Sequence, residues 1–257
     1  MPSTRFLVLA AVAAALVVVA PAIGSGSGRQ SAVPPAHAAG GDAPPLIPSI
    51  VNTRLVRAEA ALGSATASFD SGQAAQAVTP MGAAADNLTK AWNAEKWIIK
   101  TTPPPPADDA AVVDGTGAVV AYAGPEDTAF AVFSAQHDLV ATSVGMMETT
   151  NAALLKSLTG SISSVQASRT AAINYIHSIA PPPVDDAAAI DDEGVPTWAT
   201  VMPTVVPLLD DEIQQITGRL ALYKFPAATK TALQNAKTRA QSAKALINQY
   251  WPPVLGD

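Results

Sequence analysis

The chain of 257 residues contains no cysteine, which removes disulfides, zinc fingers, iron–sulfur clusters and thiol nucleophiles together. Aromatic residues are only 5% against 49% hydrophobic overall, so the core must be built from Ala, Val, Leu and Ile, which suits closely packed helices. Only three histidines serve for imidazole chemistry. Positive charge is scarce too. With 15 basic and 21 acidic residues the net charge is −6, without the basic footprint that nucleic acid or anionic lipid requires. Phosphate-binding loops, dinucleotide fingerprints, zinc-protease motifs and nucleophile-elbow serines are all missing, and no cofactor is expected.

What is present begins with the pattern of an export signal. Arg5 precedes an apolar run from Phe6 to Ala20, and a Gly/Ser/Pro-rich stretch leads to Ala36-His37-Ala38, a small-x-small cleavage pattern. Residues 1–38 read as a signal peptide, with Ala20-Pro21-Ala22 as an alternative cut. The expected location is secreted or in the cell envelope, and membrane attachment is expected only if this segment stays uncleaved. Cleavage at Ala38 takes away Arg5, Arg29 and His37, leaving a charge of −8 from 13 basic and 21 acidic residues. Residues 39–47 read as a flexible Pro/Gly-rich segment and 48–257 as a single helical domain.

The domain contains an internal repeat. Pro104-Pro105-Pro106-Ala107-Asp108-Asp109 matches Pro181-Pro182-Pro183-Val184-Asp185-Asp186 at an offset of 77. Upstream, Val78, Met81, Ala85, Leu88, Glu95 and Ile99 fall on Leu155, Leu158, Ile162, Val165, Ala172 and Ile176. Both sets step by threes and fours, apart from a gap where Trp92 falls on Arg169, and that stepping is the stripe of a bundle-forming helix. Leu233, Ala236, Ala240, Ala243, Ile247 and Tyr250 repeat that stripe near the C-terminus. Each such helix has a partner before it, marked by Leu55, Leu62 and Phe69, by Val132, Leu139 and Met146, and by Leu209, Ile213, Ile216, Leu220 and Tyr223. The fold expected is therefore mainly α: a bundle of about six helices in three repeated hairpins, at 48–102, 125–180 and 198–251. Helices are predicted over 48–71, 74–102, 125–148, 151–180, 198–223 and 226–251, with Pro203 and Pro207 each removing a backbone donor, which would kink the fifth or delay its start.

Two long acidic loops join the hairpins. A neighbouring hairpin is only about 10 Å away, yet the connections run over residues 103–124 and 181–196, far longer than the gap requires. Ala111-Val112-Val113 and Ala118-Val119-Val120 flank Asp114-Gly115, the pattern of a β-hairpin turn, and residues 189–195 are a shorter copy. Small β-hairpins are therefore expected in both loops. Up-and-down topology brings the loops to one pole. There Asp108, Asp109, Asp114, Asp185, Asp186, Asp191, Asp192 and Glu193 are candidate ligands for a divalent cation such as Ca²⁺, or a contact for a basic protein surface. Their spacing fits no EF-hand, and solvated acidic loops of this kind also serve solubility alone.

Within the helices, Glu59, Gln136 and Glu212 hold nearly equivalent places in the leading members of each hairpin, while Glu95 and Arg169 interrupt the stripes of the trailing ones. A metal-binding bundle would pair such carboxylates with Glu-x-x-His, which the sequence lacks, so a buried Glu/Arg pairing that fixes register or exposure at the stripe edge is expected instead. His137 and Asp138 are adjacent and point about 100° apart on a helix, so they are not expected to form an oriented base. His177 lies in a last helical turn, where the helix dipole favours a cation. Met146-Met147 is a candidate haem ligand or a gap-filling pair, and Trp92, Trp97, Trp198 and Trp251 are expected in the core or over the pole.

The function these features point to is an exported, non-catalytic helical protein that binds or scaffolds in the cell envelope or extracellular space. A small-molecule or metal carrier, for Ca²⁺ or haem, is the alternative, and an enzyme ranks below both.

Overall fold

The computed structural model describes residues 47–101, 125–179 and 198–252, all within one compact unit, Ser31–Asp257. They form six long helices and one short one: α1 (Ser49–Asp70), α2 (Val78–Thr101), α3 (Pro125–Gly145), α4 (Ala152–Ile179), α5 (Trp198–Thr204), α6 (Val206–Leu222) and α7 (Ala227–Tyr250). Short 3₁₀ turns, Ala74–Ala77 and Met146–Glu148, precede α2 and follow α3. Among the described residues no helix is long and apolar enough to cross a membrane.

Local chemistry sets the ends. α1 closes on Gly72, whose φ of 77° is the left-handed conformation that glycine adopts without a Cβ penalty. There the amides of Gly72 and Gln73 donate back to the carbonyls of Phe69 and Ser68, a Schellman stop. Asn151 caps α4 by accepting from the Leu154 amide at 3.0 Å, while Thr149 Oγ1 accepts from the Asn151 amide. α3 begins on Pro125 with Glu126 and Asp127 in its first turn, where acids meet the positive end of the helix dipole. The predicted fifth helix is interrupted at Val205, between Pro203 and Pro207, and becomes α5 and α6.

Pairs α1/α2, α3/α4 and α6/α7 are antiparallel hairpins. The leading helices pack as a row α1–α3–α6 and the trailing helices as a row α2–α4–α7, with α3 also lying against α2. Position decides how much of each helix is buried. Central α3 buries 11 of its 21 residues, including Phe130, Phe133, Leu139 and Val140, whereas peripheral α1 buries four of 22. Along the trailing row many buried side chains are small: Ala84, Ala85 and Ala91 on α2, Ala172 on α4, and Ala236, Ala240 and Ala243 on α7. Small residues let the backbones approach so closely that Ser157 and Ser161 of α4 donate to the Val78 and Met81 carbonyls on the α2 side.

The stripes hold with one shift of phase. Met81, Leu88, Leu158, Ile162, Val165, Ile176, Leu233, Ala240 and Ile247 are buried as expected. Val78, Ile99, Leu155 and Tyr250 are only partly buried, and Leu154 takes the fully enclosed position at the start of α4. The β-hairpins expected near Asp114 and in 189–195 lie outside the described residues.

The hairpin geometry gives the bundle two unlike poles. Turns meet at one: Arg219 donates to the Gly145 carbonyl and Tyr223 to Glu148, joining the second and third hairpins. At the other, Thr101, Pro125, Ile179 and Trp198 carry the chain into and out of the long connections. His177 stacks on Tyr250 there with ring centroids 3.5 Å apart, and Trp251 is packed edge-on to both.

Candidate functional site

The eight carboxylates of the acidic loops, Asp108, Asp109, Asp114, Asp185, Asp186, Asp191, Asp192 and Glu193, all lie outside the described residues. What the structure places is the framework they spring from and a polar cluster inside it. Arg169 of α4 is wholly buried and donates from Nη1 to Glu212 Oε1 of α6 at 2.7 Å. Its Nε donates to Gln136 Oε1 of α3 at 3.3 Å, and Gln166, one turn before Arg169, donates to Glu212 Oε2 at 2.5 Å. A buried cation and a buried carboxylate are each costly alone, and direct pairing with added hydrogen bonds offsets that cost. The expected Glu/Arg pairing exists, therefore, with Glu212 as the acid. Gln166 was not singled out by the sequence; its place three residues before Arg169, on the same helical face, is the signal that finds it.

Glu59 departs from its counterparts. It is exposed, because α1 packs through a narrow stripe of Val51, Leu55, Ala58 and Ala65, whereas Gln136 sits on a helix enclosed on most sides. Glu95 is fully buried, and among the described residues neither carboxylate oxygen has a hydrogen-bond partner. Burial, reinforced by the negative charge of Glu126, pushes its pKa up to about 8, so the neutral acid predominates at pH 7.

His137 meets a carboxylate that the sequence order conceals. Its Nε2 lies 2.8 Å from Asp211 Oδ2 across the α3–α6 contact, while Nδ1 is 3.5 Å from the adjacent Asp138. Burial lowers the imidazole pKa, but hydrogen bonds to Asp138 and Asp211 and the charges of Glu212 and Asp138 outweigh it, and the net shift is upward. With both ring nitrogens facing carboxylates, the residue is suited to holding a proton as a cross-helix cation rather than to abstracting one. Lys244 of α7 likewise reaches both oxygens of Asp210 at 2.7 Å, so the basic last helix lies beside acidic α6.

Of the remaining candidates, Met146 and Met147 are buried in the core under the turn pole. Trp92 stacks on Phe133 and packs edge-on to Tyr175; Trp198 and Trp251 are also buried, whereas Trp97 is 60% exposed. A shallow depression of about 450 Å³ at the turn pole is lined by Gly72, Gln73, Gln76, Thr149, Thr150 and Asn151. It carries no charged side chain.

Comparison of the chain with protein-family models, with curated proteins and with solved structures finds no match.

Proposed function

We propose that this is an exported, non-catalytic helical protein that binds or scaffolds in the cell envelope or extracellular space, using its acidic loops as the contact surface. One relationship carries the reading: the hairpins turn at one pole, and both long connections spring from the other. Segments 102–124 and 180–197 carry eight carboxylates and no lysine or arginine. Anchored to neighbouring helix ends of one bundle, they concentrate negative charge, and a basic protein surface or a divalent cation relieves the repulsion. The buried polar cluster fits a structural part in this reading, since its charges are matched within the core.

The test is retention of partners from envelope extracts by the full chain, compared with a variant carrying Asn at Asp108, Asp109, Asp185 and Asp186. Loss of a partner is the expected result. Thermal melts with millimolar Ca²⁺ test the ionic form. An unchanged melting temperature together with full partner retention by the Asn variant defeats the proposal.

A further inference from the structure

Gln136, Gln166, Arg169 and Glu212 form an unbroken hydrogen-bonded chain in the core, yet three of its polar atoms are buried without a partner among the described residues: Gln136 Nε2, Arg169 Nη2 and Gln166 Oε1. The amide orientations follow from the partners. Gln136 must turn its oxygen toward the Arg169 Nε–H, because an amide N–H there would face another donor. Gln166 must turn its nitrogen toward the Glu212 carboxylate, which only accepts. What remains is two donor groups and one acceptor. On a planar guanidinium Nη2 lies on the same side as Nε–H, so its free N–H bonds open beside the Gln136 amide. Nη1, on the same carbon, is held by the carboxylate that also binds Gln166, so the leftover acceptor belongs to a side chain joined to the guanidinium through Glu212.

From this geometry we infer that the cluster encloses a single water molecule, which accepts from Arg169 Nη2 and Gln136 Nε2 and donates to Gln166 Oε1. Buried waters typically make about three such bonds. The ligand is neutral for a reason of charge: Glu212 already balances Arg169, so chloride or a carboxylate would add an unmatched charge to a core that excludes solvent. A metal cation is excluded by the donors it would face. Other buried unpartnered atoms, such as Ser143 Oγ and Trp251 Nε1, do not belong to side chains that are hydrogen-bonded to one another in this way. The three partners come from α3 and α4, and α6 closes the chain of bonds through Glu212, so the site is completed only where the third hairpin packs on the second.

A high-resolution crystal structure of the full chain, with a second crystal soaked in bromide, tests this. The expected result is one water peak about 2.7–3.2 Å from each of the three atoms. In solution, magnetic relaxation dispersion of water should count one long-lived water more in the wild type than in Gln166→Leu. An anomalous bromide peak at the site, or direct pairing of the three atoms with no density between them, overturns the inference. An unchanged count of long-lived waters in Gln166→Leu overturns it as well; should that variant not fold, the wild-type crystal decides alone.

Discussion

Arg169 and Glu212, 43 residues apart in the chain, meet at 2.7 Å with side chains 1% and 0% exposed, tying the second hairpin to the third through the interior. Neither charge has solvent to fall back on. Replacing either one strands the other in the core, at a cost of about 3–5 kcal/mol. Arg169→Met and Glu212→Leu should each fall in that range, and the double variant should cost far less than their sum. A double-mutant cycle from urea unfolding measures this, and additive losses would mean the pair does not act as a unit.

Glu95 makes stability fall as pH rises. Its pKa is about 8 in the folded chain against 4.5 for an ordinary carboxyl, so between those values the folded state holds a proton that the unfolded state has released. The contribution is therefore greatest below about 4.5, declines through the window and is lost above about 8, a change on the order of a few kcal/mol. Glu95→Gln should match the wild type near pH 4.5 and exceed it at pH 9, as read by denaturant midpoints. Equal losses in both proteins across that window would exclude Glu95 as the source.

His137 acts in the same direction. With its folded pKa above 6.5, the imidazolium's contact with Asp211 stabilises fully below that value and fades as pH rises through the folded pKa. Asp211→Asn should lower the pKa of His137, because burial then faces less opposition. An NMR titration of the ring protons reads the shift. No change on substitution would mean that Asp138 and Glu212 hold the proton without Asp211.

At the start of α4 the phase of the stripe can be measured directly. Leu154→Ala removes a fully buried side chain and should cost about 2–5 kcal/mol. Leu155→Ala removes one that is only partly covered and should cost clearly less. Chemical denaturation of the two variants compares them, and a larger loss at Leu155 would reverse the assigned phase.

The acidic connections, where the sequence points to a contact surface, lie outside the described residues, so on them the structure adds only the pole from which they spring. The interior is different, and there the two sources divide cleanly. Helix boundaries were legible in the sequence because they depend on neighbours: Ser71-Gly72, the proline at position 125, the prolines at 203 and 207, and apolar residues stepping by threes and fours each act within a few residues. Antiparallel pairing within each hairpin followed, since the intervening turns are too short to permit anything else. Which face of each helix is enclosed was decided only by its neighbours in space. Glu59, Gln136 and Glu212 look alike along the chain, yet α1 lies at the edge and leaves its acid in water, α3 lies at the centre and buries its amide, and α6 turns its acid onto Arg169. Helical periodicity is local, whereas the price of a buried charge depends on what stands opposite it; that is why the stripes could be read one residue after another, while the partners of Arg169 and His137 had to await the packing of the three hairpins.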